Sequence, residues 1–85
     1  MDVVTKVEAT RKAVEVEGEY FGLLLDFYLK SKYGMGLELV AHDRRKFQRA
    51  LADLIGRDSA KLMCARIDSE IRKRKRLLQA PHQQG

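Results

Sequence analysis

The sequence predicts an all-α domain: a small helical bundle of three main helices, near residues 5–33, 43–55 and 58–79, assembled as a dimer or higher oligomer. Three observations predict it. Apolar residues recur at helical spacing through all three segments, while capping residues open the second and third and glycines at 34 and 56 stop the first and second. The first segment is apolar on two faces, more than one short helical hairpin covers, so a second copy is expected against it.

The first helix has its start at Thr5, Lys6, Val7, Glu8, a capping-box pattern. At 100° per residue, Val3, Val7, Val14, Phe21, Leu24, Leu25 and Tyr28 form one stripe, with Thr10 and Glu17 as flaws. A second stripe, Val16, Tyr20, Leu23 and Phe27, lies on an adjoining face and is the expected oligomer interface. Gly18 and Gly22 add a GxxxG step at which another helix can approach. The alternation in "AVEVEGEY", residues 13–20, also fits a half-buried strand, so helix and strand arm stay open for the first twenty residues.

"KYGMGLELVAHD", residues 32–43, interrupts the helical pattern. Gly34 is a natural C-terminal stop, and Leu37, Leu39 and Val40 are expected to tuck the connection against the core. Asp43 then caps a second helix with Phe47, Ala50, Leu51, Leu54 and Ile55 inward and Arg45 and Arg49 outward. Gly56 ends it. Asp58 or Ser59 caps the third, whose stripe runs Ala60, Met63, Cys64, Ile67, Ile71, Leu78. Residues 1–80 form one domain, and 81–85, "PHQQG" from Pro81, a flexible C-terminal tail.

With 85 residues, 45% of them hydrophobic, the chain builds one core, and a core this small draws further stability from a metal, disulfides or a partner subunit. Cys64 is the single cysteine, which excludes an intrachain disulfide and fits a reducing cytoplasm. With His42 and His82 but no CxxC or HxxxH pairing, a zinc site lacks ligands, and neither metal nor cofactor is expected. No secretion signal opens the chain, and the apolar patch "YFGLLLDFYL" is about half a membrane span. A cytoplasmic protein without a membrane partner is expected.

Charge is unevenly spread within a net of +5. Residues 1–38 carry five cations and seven anions, residues 39–85 twelve cations and five anions. The basic half attracts DNA or RNA, an acidic protein surface, or the acidic half of another copy.

"LADLIGRDSAKLMCARI", residues 51–67, with Ala52, Gly56 at the turn and Leu62 six residues later, resembles a helix-turn-helix unit. The resemblance implies that Ser59, Ala60, Met63, Cys64 and Ile67 face outward, yet a major-groove reader uses Arg, Lys, Asn or Gln. Arg57 also stands where such units are apolar. An αα-turn with those residues as core is the expected outcome.

The cation run "IRKRKRLL", residues 71–78, divides once placed on a helix. Ile71 and Leu78 continue the core stripe; Asp68 with Arg72 and Glu70 with Arg74 have the favoured i, i+4 order; the stems of Arg74 and Lys75 cover apolar neighbours. Lys73, Lys75 and Arg76 remain as free charge. With Arg66, Arg72, Arg45 and Arg49 they make the expected nucleic-acid surface, one that binds phosphates without reading sequence. Arg44, Arg45 and Lys46 oppose the dipole at the start of the second helix, either tolerated through nearby acids or forming an anion site.

No catalytic constellation is found, since Cys64 lies on an apolar stripe and His42 lacks a nucleophile partner. A non-enzymatic, nucleic-acid-associated accessory or regulatory protein is therefore expected. The alternative is an interaction or scaffold subunit whose basic C-terminal helix meets an acidic protein surface.

Overall fold

The structure, a computed structural model, describes residues 2–79, and of Leu78 and Gln79 the backbone alone. The core place expected for the Leu78 side chain and the 81–85 tail thus lie outside the described residues. Among the described residues the chain is all-α. Five helices follow in order: α1 Val3–Val14, α2 Phe21–Tyr33, α3 Leu39–His42, α4 Arg44–Ile55 and α5 Arg57–Gln79, with a 3-10 turn at Glu15–Glu17 after α1.

Helix α1 starts earlier than the capping box implies. Asp2 is its cap, accepting the Thr5 N–H at 2.8 Å, because a carboxylate one turn upstream is a strong acceptor and lets Val3 and Val4 join the helix. Thr10 is fully buried, and its hydroxyl donates to the Lys6 carbonyl at 2.8 Å, which satisfies a polar group that would otherwise be costly in the core.

The expected helix over 5–33 is two helices. Gly18 has φ +122°, outside the helical region, and residues 18–20 turn the chain into α2. Glu15 and Glu19, four apart, would repel on a continuous helix, and glycines at 18 and 22 weaken it further. The break also removes the GxxxG step, leaving Gly22 alone where α2 passes Val14, whose Cγ2 would lie 3.5 Å from an added Cβ. No strand occurs among the described residues, so "AVEVEGEY" is the end of α1, the 3-10 turn and the bend.

Gly34 ends α2 in the left-handed region, φ +79°, and donates to the Lys30 carbonyl at 3.0 Å. The following loop is stapled to α2 by Asp26, which accepts the Leu37 N–H at 2.9 Å and pairs with Lys30 at 2.9 Å. Leu37, Leu39 and Val40 are buried, as expected. Gly36 sits so close that an added Cβ would collide with the Asp26 carboxylate. Gly36→Ala is therefore expected to destabilise the domain by about 1–3 kcal/mol, read by urea denaturation.

Burial pushes the Asp26 carboxyl up, but the hydrogen bonds from Lys30 and the Leu37 N–H outweigh it and hold the group below the ordinary carboxylate value. Asp53 is held low as well, by hydrogen bonds from Lys32 and Tyr28. Both native values lie below the unfolded ones, so the stabilisation is present above about pH 4 and is lost as pH falls through the native values. Urea melts are expected to show level stability between about pH 5 and 7 and a decline below about pH 4, part of which Asp26→Asn removes.

The core lies among α1, α3, α4 and α5 with the inner edge of α2. Ala13, Val14, Leu25, Leu29, Leu37, Leu39, Val40, Phe47, Ala50, Leu51, Ala60, Met63, Cys64 and Ile67 are its buried residues, and Ile71 packs at its border. Asp43 caps α4 as expected, accepting the Lys46 N–H at 3.2 Å. Helix α5 needs neither Asp58 nor Ser59 as cap: Gly56 ends α4 through its N–H to the Ala52 carbonyl at 2.9 Å and accepts the Ala60 N–H, also at 2.9 Å. One glycine at φ +91° thus closes one helix and opens the next. At 23 residues α5 runs about 34 Å and accounts for much of the 46 Å long dimension.

Candidate functional site

The short Gly56 connection folds α4 back along the first half of α5, so the outward side chains on both sides of the turn face a common space. Arg45 and Arg49 are one turn apart on α4, and Arg57 and Lys61 one turn apart on α5. With Gln48, Ala52 and Asp53 they line an open cleft of about 490 Å³. All four cations are exposed, and none takes part in an ion pair among the described residues. The one carboxylate in the cleft is committed elsewhere: Asp53 accepts Tyr28 Oη at 2.8 Å and Lys32 Nζ at 2.9 Å, fastening α4 to α2.

The cluster at the start of α4 resolves into three roles. Arg44 Nη2 donates to Asp68 Oδ1 at 2.7 Å and to the Cys64 carbonyl at 3.4 Å, pinning the start of α4 to the middle of α5. Burial works against the Arg44 charge, and the Asp68 hydrogen bond outweighs it, holding the guanidinium above its ordinary pKa. Lys46 Nζ lies 3.8 Å from Asp43 and 5.9 Å from the Tyr33 ring centre. Arg45 alone of the three enters the cleft, so the local acid and aromatic contacts, rather than a bound anion, account for Arg44 and Lys46.

This arrangement corrects the ion pairs expected within the cation run. Asp68 is taken by Arg44, so Arg72 has no partner among the described residues, and Glu70 pairs with Lys73 at 3.5 Å instead of with Arg74. Three-residue spacing lets the lysine reach back to Glu70, while Arg74 is half-buried with its Nε unpartnered. The unpaired cations of the run among the described residues are therefore Arg72, Arg74, Lys75 and Arg76, of which Arg72, Lys75 and Arg76 are exposed, and Lys73 leaves the set.

At 100° per residue, Arg57, Lys61, Arg72, Lys75 and Arg76 share a sector of about 100° on α5. Asp58 and the already engaged Asp68 also fall in it. The expected residues Arg45, Arg49, Arg72, Lys75 and Arg76 are thus compatible with one basic face that continues from the cleft. Arg66 and Lys73 are not: they line a separate groove of about 270 Å³ with Lys12, Ala13, Val16, Ser69 and Glu70. Arg57 and Lys61 were missed by sequence reasoning. Their signal was the matched i, i+4 cation pairs on either side of Gly56.

The family model described as Nitrosopumilus output domain 5 matches residues 2–83. The chain belongs to this output-domain family. The match takes in every helix from α1 to α5, and with them the whole cleft. Neither a curated protein nor a solved structure matches the chain.

The other expected site of this output domain is the apolar stripe of the first segment, and the break at Gly18 divides it. Val16 belongs to the groove beside Arg66, while Tyr20, Leu23 and Phe27 share the outer face of α2. Leu24, expected in the core, joins them, because the turn through residues 18–20 resets the phase of α2 and points Leu25 and Leu29 inward instead. Their exposures are high: 71% for Tyr20, 63% for Leu23, 53% for Leu24 and 70% for Phe27.

The positions implied by the helix-turn-helix resemblance divide sharply. Ala60, Met63, Cys64 and Ile67 are buried and only Ser59 is exposed, as an αα-turn requires. Burial raises the Cys64 thiol pKa, which disfavours the thiolate. Among the described residues no three His, Cys, Asp or Glu side chains form a metal-holding group, and no helix is long and apolar enough to cross a membrane.

Proposed function

We propose that this chain is an output module that acts by binding the phosphates of a nucleic-acid backbone through the α4–α5 cleft, without strong sequence preference. One observation carries this: Arg45, Arg49, Arg57 and Lys61 meet at one cleft, none of them in an ion pair among the described residues, and the one carboxylate of its lining, Asp53, is held by Lys32 and Tyr28. Holding four like charges together is unfavourable for the isolated chain and favourable once a polyanion arrives. Arg72, Lys75 and Arg76 extend the same face along α5, in reach of further phosphates. Base reading is not part of the proposal: the guanidinium and ammonium groups of the cleft suit phosphate oxygens whatever the sequence, and Gln48 is its one amide side chain. The family's description as an output domain suits a module that passes an effect to a target.

Assembly of two or more copies belongs to the same proposal, supported by the exposed apolar face of α2. A dimer presents two basic faces to one polyanion, which raises affinity through effective concentration.

Binding of mixed-sequence DNA and RNA fragments across a salt series tests the reading. Salt-sensitive binding to either fragment is expected. No binding at low salt, or affinity indifferent to salt, refutes it and leaves an acidic protein surface as the target of the same cations.

A further inference from the structure

The outer face of α2 carries the most conspicuous unexplained surface of the molecule. Tyr20, Leu23, Leu24 and Phe27 cover two turns without a charged side chain between them on that face. Together they expose on the order of 500 Å², toward the upper end of the roughly 300–600 Å² that the largest apolar patch of a monomer reaches. The patch is wide open, with one shallow dip. At its N-terminal end Glu17, Gly18, Glu19, Tyr20, Phe21 and Leu24 line a shallow open hollow, and about one turn beyond Leu24 stands Phe27. Charge is polarised in the same direction, with Glu15, Glu17 and Glu19 before α2 and Lys30 and Lys32 in its last turn.

A second copy in antiparallel orientation matches every one of these features. With the two-fold axis between Leu23 and Leu24, Phe27 of each copy stands over Tyr20 and the hollow of the other. The last turn of each helix then lies beside the acidic start of the other. Lys30 pairs with Asp26 within its own chain, but its side chain stays 61% exposed and its ammonium has donors to spare. A parallel pairing would set Phe27 on Phe27 and the glutamates on glutamates. We propose that two copies pair through α2 in this antiparallel arrangement, with Phe27 of each seated in the hollow at residues 17–24 of the other and Lys30 facing Glu17 and Glu19. This deepens the assembly reading above and rests on it.

The test uses the full chain without nucleic acid. Sedimentation is expected to show a dimer at tens of micromolar, and Phe27→Glu, a change at an exposed position, to weaken it by about 100-fold or more while circular dichroism stays helical. For orientation, Glu17→Cys and Lys30→Cys chains are mixed and mildly oxidised; the native Cys64 is buried. Disulfides between one chain of each kind are expected, and neither variant alone should cross-link efficiently. A wild-type monomer overturns both the assembly reading and this arrangement. A dimer that ignores Phe27→Glu, or that cross-links Glu17→Cys to itself, overturns the arrangement and leaves assembly standing.

Discussion

Phe47→Ala is expected to cost about 3–5 kcal/mol of folding stability, the largest loss from any single side chain of this domain. Phe47 is completely buried on α4, in one hydrophobic cluster with Ala50 and Leu51 of its own helix and the core residues of α5. Removing its ring loses the transfer free energy and leaves a cavity that a close-packed interior refills only in part. A natural domain has about 5–15 kcal/mol in total, and one this small is not at the top of that range, so the variant should be largely unfolded near physiological temperature. Urea denaturation at fixed protein concentration measures it, since dimer formation would otherwise make the midpoint concentration-dependent. Phe27→Ala is the contrast, chemically identical but 70% exposed, with a change within about 0.5 kcal/mol expected under monomeric conditions. A Phe47→Ala loss under about 1 kcal/mol would contradict the described packing.

Neutralising the cleft should have the largest effect on binding. If Arg45, Arg49, Arg57 and Lys61 each engage one phosphate of duplex DNA, log affinity falls with a slope of about −3.6 against log salt. That is a loss of about 100-fold between 50 and 200 mM. Changing all four to glutamine keeps side-chain length and helix propensity while removing the charge, and should flatten the slope by about 3–4. Arg66→Gln with Lys73→Gln is the control, on the other flank of α5 where Lys73 already pairs with Glu70, and should change the slope by less per charge removed. Equal effects per charge from cleft and control would mean diffuse attraction to a basic chain rather than a site.

Much of the fold was legible because helices announce themselves locally. Asp43 before α4 and the glycines at 34 and 56 mark boundaries through their own hydrogen bonds and backbone angles, and these lie within a residue or two of expectation. The exception was the first segment. Its apolar periodicity resumes past Gly18 on paper, with Glu17 as a flaw beside it, and a glycine can sit in a helix or leave it at similar local cost. Which it does depends on whether α2 gains more by turning to place Leu25 and Leu29 in the core, a comparison that involves residues far along the chain.

The site was legible in part for the same reason. Arg45 and Arg49 are recognisable as outward from the α4 stripe alone, but the partner of an acidic side chain is not a local property. Asp68 stands in the favoured order with Arg72, yet it goes to Arg44, brought 24 residues along the chain by the α4–α5 fold. Glu70 chose Lys73 among several cations within a turn, differences too small for sequence spacing to rank.

What the sequence by itself determined is therefore the helical class, the capped boundaries of α4, the glycine stops, the buried stripe of α5 and the excess of positive charge in the second half. These follow from 3.6-residue periodicity, backbone preference and composition, which act over a few residues. Only the tertiary structure decided that the first segment breaks, that Val16 parts from Tyr20, Leu23 and Phe27, and that Arg57 and Lys61 join Arg45 and Arg49 across a shared cleft. Those outcomes depend on which faces meet once the helices pack, and close packing couples residues that the sequence holds far apart.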